Sequence, residues 1–126
     1  MKLTFNDALS FRGFYTKIKD RKFPLRTGYH LNCIAKAIDP HFSFYQEQLT
    51  QIFNDYAEKD ENGNILNDEN GNFKILPDRI AECNTKLNEL LMFEFEIDAK
   101  PLKISEIENL ELQMDEIQGI LPFITE

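Results

Sequence analysis

Apolar side chains recur every three or four residues over long stretches of this chain. The longest stretch predicts a helix from Thr27 to Lys59. Its apolar positions are Leu31, Ile34, Ala35, Ile38, Phe42, Tyr45, Leu49, Ile52, Phe53 and Tyr56. Asp39-Pro40 interrupts the pattern, so either Asp39 caps a new helix with Pro40 at its first position, or the proline kinks one long helix. We favour a kink or tight break with nearly collinear halves.

Two further helices are expected on either side of the long one. Thr4 is a candidate N-cap with Asp7 three residues later, close to the capping-box pattern. Phe23-Pro24 ends this first helix, because the residue before a proline avoids the helical region. A third helix is predicted over residues 78–92. Its inner face would hold Ile80, Cys83, Leu87, Leu90 and Leu91.

A near-duplication separates the second and third helices, since Asp-Glu-Asn-Gly-Asn occurs at residues 60–64 and again at 68–72. Asn-Gly tolerates positive φ and is a strong hairpin signal. We interpret Asn62-Gly63 as the stop after the long helix. Asn70-Gly71 would then turn a hairpin between about residues 64–67 and 72–76. The duplicated segment is too short to indicate a repeat architecture.

The last third of the chain predicts one strand and two short helices. Phe93–Asp98 alternates apolar and polar residues strictly, which is typical of a half-buried strand. Its inward side chains would be Phe93, Phe95 and Ile97. Ser105 and Glu108 have the spacing of a capping box that opens a short helix. A final short helix is expected near residues 114–119.

Together these elements predict an α+β fold, mainly α, in which residues 1–126 form a single domain. The helices at 27–59 and 78–92 are expected to form a long antiparallel pair. The β-hairpin would project from their shared end, with the further short strand beside it.

Charge is divided sharply along the chain. Residues 1–37 carry eight basic and two acidic side chains, a net charge of +6, whereas the other 89 residues carry six basic and twenty acidic ones, a net charge of −14. The basic segment could bind an anion, or it could dock on the acidic body of its own or a neighbouring chain. The overall charge of −8 argues against binding along extended nucleic acid, which needs a broad cationic surface.

The sequence also indicates where in the cell the protein is expected. No apolar run approaches the roughly 20 residues that a membrane span requires. The first residues lack the apolar centre of a secretory signal, so we expect a protein of the cytoplasm in which it is made. Cys33 and Cys83 lie in helical patterns and are expected to be small buried apolar side chains rather than a disulfide.

A calcium loop is one reading of the duplicated segment, because Asp60, Asn62 and Asn64 occupy alternate positions. Such a loop requires glycine at its sixth position and a bidentate glutamate at its twelfth. Here these positions are Ile65 and Gly71. Turn chemistry therefore explains the segment better than calcium binding does.

Zinc binding and catalysis are similarly disfavoured. His30 and Cys33 share a helix face, and His41 with Cys83 could complete a set of four ligands. Their spacings match no standard structural zinc pattern, so we expect His30 to be a solvated helix residue. No nucleophile elbow or phosphate-binding glycine loop is present, and the carboxylates occupy solvent faces. The sequence predicts no metal, no cofactor and no enzymatic activity.

The basic N-terminal segment supplies the candidate binding residues. They are Arg12, Tyr15, Lys17, Arg21, Lys22, Arg26 and Tyr29. Arginine beside aromatic rings suits the recognition of phosphates and bases. Phe23-Pro24 would stiffen the loop that holds the central cations. The alternative is that the aromatic rings belong to the core while the cations are solvated or meet the acidic body.

From Phe23 onward, most of the chain resembles an uncharacterised family of small proteins encoded by tailed bacteriophages. The matching stretches are Phe23-Pro24-Leu25 running into Tyr29-His30-Leu31, then residues 56–63, 84–90, 103–112 and 121–126. The family has no assigned activity or catalytic residues. The resemblance implies a phage origin, and hence a role in virion assembly or in manipulating the host.

These observations favour a non-enzymatic phage protein that neutralises a host factor in the host cytoplasm. The expected targets are a defence protein or a small anionic signalling nucleotide. The competing hypothesis is a structural or assembly component of the virion. In either case we expect a homo-oligomer, because the oppositely charged segments and wide apolar helix faces of two copies can pair.

Overall fold

The computed structural model describes residues 1–108 and 110–126. Within them the chain is α+β and mainly α, which confirms the predicted fold class. In chain order the elements are β1 (Lys2–Thr4), α1 (Phe5–Ile18), α2 (Leu25–Tyr56), α3 (Ile80–Leu91), β2 (Glu94–Glu96), β3 (Leu102–Lys103), α4 (Ile104–Ile107), α5 (Met114–Gln118) and β4 (Ile124–Thr125), with 3₁₀ turns at Pro77–Arg79 and Leu121–Phe123. They form two compact units, one of Met1–His41 with Phe93–Glu126 and the other of Phe42–Met92.

The first unit begins with a strand that leads directly into a capped helix. Strand β1 pairs antiparallel with β2, so that Leu3 lies opposite Phe95. Thr4 is the N-cap of α1: its hydroxyl accepts the N–H of Asp7 at 3.2 Å, while the Asp7 carboxylate accepts the N–H of Thr4 at 3.0 Å. The predicted capping box is confirmed.

The core of this unit combines residues from both ends of the chain. Its buried side chains are Leu3, Phe5, Ala8, Phe11, Phe14, Ile18, Leu31, Ile34, Ile38, Ile97, Leu102, Ile107, Ile120 and Phe123. The ring of Phe11 packs 4.7 Å from that of Phe123, and Phe5 packs 4.9 Å from Phe95. Aromatic pairs at these separations add to the stabilisation that apolar burial alone provides.

Helix α2 is shifted from its predicted bounds. It starts at Leu25 rather than Thr27 and ends at Tyr56 rather than Lys59. Pro40 lies inside it, so Asp39 does not cap a second helix and one helix passes through the proline. Proline has no N–H to donate to the preceding turn, so the helix lacks one hydrogen bond there.

Three short segments of the second unit, residues 57–59, 65–67 and 73–75, close into a ring. The N–H of Glu58 donates to Lys74 O at 2.6 Å, that of Lys74 to Leu66 O at 2.9 Å, and that of Leu66 to Glu58 O at 2.9 Å. Antiparallel bridges join Ala57 to Ile75, Lys59 to Ile65, and Asn67 to Phe73. The three segments therefore repeat at intervals of eight residues.

The duplicated Asp-Glu-Asn-Gly-Asn segments build the two turns of this ring. In both, the aspartate carboxylate accepts the N–H groups two and four residues later at 2.9 and 3.0 Å. Gly63 and Gly71 both have φ of 81°. The second turn was predicted as a hairpin, but the interpretation of Asn62-Gly63 as the helix stop was wrong. Gly63 turns a hairpin of its own, and the duplication is the repeat that closes the ring.

Helix α3 starts against the end of α2. The Arg79 guanidinium lies 4.3 Å above the Tyr56 ring and donates to the carbonyl oxygen of Asp55 at 3.1 Å. This contact joins the last turn of α2 to the 3₁₀ turn that precedes α3. Cys83 and Leu90 face inward as predicted, whereas Ile80 is 46% exposed. The reason is that Ile80 is the first residue of the helix and follows a 3₁₀ turn.

The last third of the chain departs from prediction in three details. The strand covers only Glu94–Glu96, and Phe93, which directly precedes it, is 51% exposed although its ring stacks on that of Phe5. Helix α4 starts at Ile104 rather than after Ser105, and its cap is made by Glu106, whose carboxylate accepts the N–H of Lys103. Strands β3 and β4 form a parallel pair that the sequence pattern does not indicate. No helix of the described residues is long and apolar enough to cross a membrane.

Candidate functional site

A cleft of about 420 Å³ opens where α2 begins. Its walls come from the first turns of α2 and from the segment that joins β3 to α4. The lining residues are Arg26, Tyr29, His30, Cys33, Lys103, Ser105 and Glu106. We call this the α2–α4 cleft.

Two side chains of α2 hold the opposite wall of the cleft in place. The hydroxyl of Thr27, which is buried, donates to the carbonyl oxygen of Glu106 at 2.9 Å. The imidazole of His30 bridges the Glu106 carboxylate, 2.8 Å from Nδ1, and the carbonyl oxygen of Lys100, 2.8 Å from Nε2. The prediction of a solvated His30 is wrong, since its side chain is 21% exposed.

Glu106 is occupied on both carboxylate oxygens. One oxygen accepts the N–H of Lys103 at 3.0 Å, and the other faces His30. Burial acts to raise the pKa of this carboxyl, but the hydrogen bonds from Lys103 and His30 outweigh it, so the pKa lies below the ordinary value. These hydrogen bonds therefore favour the charged form of the carboxylate.

The two cations of the cleft remain available. Among the described residues, neither Arg26 nor Lys103 lies within ion-pair distance of a carboxylate. Tyr29 stands beside them with 69% of its surface exposed. Lys103 does interact electrostatically with the nearby Glu106 carboxylate. Two cations and an exposed aromatic ring nevertheless give the cleft groups that can attract an anion, in a chain of net charge −8.

The hydrogen bonds of His30 bear on what the cleft can do chemically. A histidine paired to a carboxylate acts as a general base only when its other ring nitrogen can reach a reacting group. Here Nε2 is bonded to the Lys100 carbonyl. Cys33 is a free thiol on the same face, but neither nitrogen of His30 is left to activate it.

A second cleft, of about 380 Å³, contains other residues of the basic segment. It is lined by Arg21, Lys22, Phe23, Leu110, Glu111 and Leu112. The Arg21 guanidinium donates to both carboxylate oxygens of Glu116, at 3.3 and 3.0 Å, and to the carbonyl oxygen of Glu111 at 3.4 Å. Lys17 lies 3.9 Å from the Asp115 carboxylate. These two cations therefore meet the acidic body of their own chain.

Glu116 is the acidic centre of that contact. Its side chain is 2% exposed, although Arg21 is 44% exposed. The N–H of Gln113 donates to it, and together with Arg21 this bond lowers the pKa of the carboxyl against the opposing effect of burial. The carboxylate is held as an anion inside the first unit.

The seven predicted binding residues are thus divided among different surroundings. Arg26 and Tyr29 share the α2–α4 cleft, while Arg21 and Lys22 share the second one. Tyr15 stacks on the buried ring of Phe11 with centroids 6.1 Å apart. Arg12 lies exposed on α1.

Sequence reasoning missed Lys103, Ser105 and Glu106 as cleft residues. The spacing of His30 and Cys33 on one helix face, which raised the zinc hypothesis, did mark the correct face of α2. Its partner in the fold, however, is a carboxylate 76 residues later. Within the part of the chain that the structure describes, no group of three His, Cys, Asp or Glu side chains is placed to hold a metal ion.

Comparison with protein-family models, with curated proteins and with solved structures found no match for this chain.

Proposed function

We propose that this chain is a non-enzymatic binding protein of a tailed bacteriophage, and that it neutralises a host factor captured at the α2–α4 cleft in the host cytoplasm. The observation that supports this proposal is the pair of cations, Arg26 and Lys103, beside the exposed ring of Tyr29. The resemblance of the sequence to small phage proteins supplies the biological setting.

The rigidity of the cleft supports binding as its role. Thr27 and His30 join α2 to the opposite wall through three hydrogen bonds of 2.8–2.9 Å. A site whose walls are fixed before the ligand arrives loses less conformational entropy on binding. The host factor is either a defence protein with an acidic surface or a small anionic nucleotide.

A pull-down from infected cells tests the proposal, with both captured proteins and captured small molecules identified by mass spectrometry. The bait is compared with the double variant Arg26→Glu, Lys103→Glu, which reverses the cleft cations. Lys36→Glu is the matched control, because Lys36 is an exposed cation of α2 outside the cleft lining. A host factor held by the wild type and Lys36→Glu but lost from the double variant supports the proposal. Equal capture by all three baits overturns it.

Assembly into the virion is the second candidate function. Leu25 and Met114 are 89% and 75% exposed. If these side chains are part of one contiguous apolar patch, that patch is a candidate surface for assembly contacts. Mass spectrometry of purified particles distinguishes the two functions, since an assembly component is present in many copies per virion and a cytoplasmic inhibitor is not.

A further inference from the structure

We infer that the ligand of the α2–α4 cleft is a mononucleotide, meaning a single aromatic base linked to a terminal phosphate. This inference rests on the proposed binding function and narrows it to one chemical class. It follows from three properties of the cleft: two cations in its lining, an exposed aromatic ring in the same lining, and a volume suited to one small molecule.

The lining residues suited to a phosphate are Arg26, Lys103 and Ser105. The guanidinium of arginine presents parallel N–H groups that match two oxygens of a phosphate, and lysine adds a compact positive charge. The serine hydroxyl can donate to a third oxygen. The Glu106 carboxylate, whose oxygens are hydrogen-bonded to the backbone N–H of Lys103 and to His30, is a negative charge in the same lining. Arg26 and Lys103 must together outweigh that charge for a phosphate to bind.

The base end is defined by Tyr29. It follows Arg26 by three residues on α2, so the two side chains lie on neighbouring positions of one helix face. With 69% of its surface exposed, the ring has a free face for a base to stack on. Stacking of this kind tolerates different bases, because every base offers a flat aromatic surface.

The size of the cleft favours one nucleotide over a strand. Its volume of about 420 Å³ falls in the lower part of the range of small-molecule pockets, roughly 300–1,000 Å³. A longer nucleic acid would leave the cleft and meet a chain of net charge −8. Repulsion from that charge disfavours the binding of a nucleic-acid strand. A small anion inside the cleft is instead attracted by the nearby cations Arg26 and Lys103.

Isothermal titration calorimetry at about 50 mM salt, where surface charges are weakly screened, tests the ligand class. The probes are adenosine 5′-monophosphate, adenosine, inorganic phosphate and a short single-stranded RNA with a 5′-phosphate. We expect the monophosphate to bind the wild-type protein at least tenfold more tightly than adenosine or inorganic phosphate, and no less tightly than the RNA. The inference is overturned if adenosine binds with the same affinity as the monophosphate. It is also overturned if the RNA binds more tightly than both of these ligands.

Substitutions test which residues contact the phosphate and which contact the base. Arg26→Ala and Lys103→Ala should each weaken binding of the monophosphate by about tenfold. Arg26→Lys should fall between Arg26→Ala and the wild type, because it keeps the charge and loses the paired N–H groups. Tyr29→Ala should weaken binding by about tenfold while Tyr29→Phe retains it, and Lys36→Ala should bind as the wild type does.

The variants also separate this inference from the proposed function. Unchanged binding by Arg26→Lys, Lys103→Ala and Tyr29→Ala, with intact helical spectra, rejects the mononucleotide site. If the wild type binds none of the four probes but still captures a host protein that requires Arg26 and Lys103, the ligand class is wrong and the proposed function stands. If capture is also independent of these cations, both are wrong.

Discussion

The guanidinium of Arg21 donates two hydrogen bonds, of 3.3 and 3.0 Å, to the carboxylate of Glu116, although the two residues are 95 positions apart in the sequence. Arg21 belongs to the basic N-terminal segment, and Glu116 to the acidic remainder of the chain. Part of the sharp division of charge along the sequence is therefore neutralised inside one molecule. Arg26, only five residues after Arg21, points instead into the α2–α4 cleft.

Charge reversal should lower the melting temperature much more at Arg21 than at Arg26. Arg21→Glu leaves the buried Glu116 carboxylate unpaired and adds a like charge beside it, which is strongly unfavourable. We expect the melting temperature to fall on the order of 5 °C or more. Arg26→Glu should leave the melting temperature nearly unchanged, because Arg26 is exposed and has no carboxylate partner among the described residues. Thermal unfolding followed by circular dichroism measures both.

Two further variants control for the loss of charge alone. Lys22→Ala removes an exposed cation next to Arg21 and should change the melting temperature little. Arg21→Lys should be intermediate, since lysine cannot donate to both carboxylate oxygens in parallel. Equal melting temperatures for Arg21→Glu and Arg26→Glu would contradict the structural role of Arg21.

Thr27 should stabilise the α2–α4 cleft through its hydroxyl group. Thr27→Val keeps the shape of this buried side chain but removes the donor to the Glu106 carbonyl oxygen. The free energy of unfolding should fall by about 1 kcal/mol, measured by urea denaturation. Thr27→Ser retains the hydroxyl and should recover most of this loss. A Thr27→Val protein as stable as the wild type would show that the bond contributes nothing net.

Acid should destabilise the first unit through two carboxyl groups. Glu106 and Glu116 both have pKa values below the ordinary value of 4.5. Between the folded and the unfolded pKa, these two carboxyl groups are protonated in the unfolded chain and ionised in the folded one. The unfolded state therefore binds more protons in this range, and the stability of the fold rises with pH. Their contribution is complete above the unfolded pKa and is lost as the pH falls through the folded pKa.

Glutamine variants reveal this contribution. The melting temperature, measured from about pH 3 to pH 7, should depend less steeply on pH below about 4.5 in Glu106→Gln and Glu116→Gln than in the wild type. Glu108→Gln serves as the control, because Glu108 is exposed on the same segment. Identical pH profiles for all four proteins would contradict the prediction.

The two glycines of the ring should be equally sensitive to substitution. Gly63 and Gly71 share the same φ of 81°, where any residue with a Cβ is strained. Gly63→Ala and Gly71→Ala should each lower the free energy of unfolding by about 1–2 kcal/mol. Gly13→Ala should have the opposite sign and add about 0.5–1 kcal/mol, because Gly13 is helical and nothing lies within 4 Å of its new Cβ. Urea denaturation distinguishes these outcomes, and a harmless alanine at either ring position would contradict the shared turn geometry.

Self-association is expected from the apolar surface of the first unit. Leu25 and Met114 are among its most exposed apolar side chains. We expect a dimer or a higher closed assembly at micromolar concentration, measured by light scattering. Leu25→Glu should shift this assembly toward the monomer, while Lys36→Glu on the same helix should not. A monomeric mass for the wild-type protein would contradict the prediction.

Local signals in the sequence predicted much of the fold. Thr4 and Asp7 form the expected capping box because the two groups are only three residues apart and any helix that starts there brings them together. The period of apolar residues likewise predicted α2 and α3, with errors of a few residues at their ends. Helix ends depend on weak competing interactions, so the pattern fixes them less well than it fixes the interior.

Duplication in the sequence was visible but its meaning was not. The repeated Asp-Glu-Asn-Gly-Asn predicted turns, and each copy forms the same one. That Glu58, Leu66 and Lys74 close a ring depends on a third segment, which carries no such motif. The ring closes only when backbone groups of all three segments form hydrogen bonds with one another. No local sequence pattern predicts which segments will pair in this way.

By itself, the sequence determined the helical character of the chain, its caps and turns, and the division of its charge, because each of these depends on residues close together along the backbone. Only the tertiary structure decided which cation meets which anion. Arg21 pairs with Glu116 and His30 is hydrogen-bonded to Glu106, whereas Arg26 and Lys103 line the α2–α4 cleft. Contacts across 76 to 95 residues are set by how the core packs, and the packing energy is a property of the whole fold rather than of any segment.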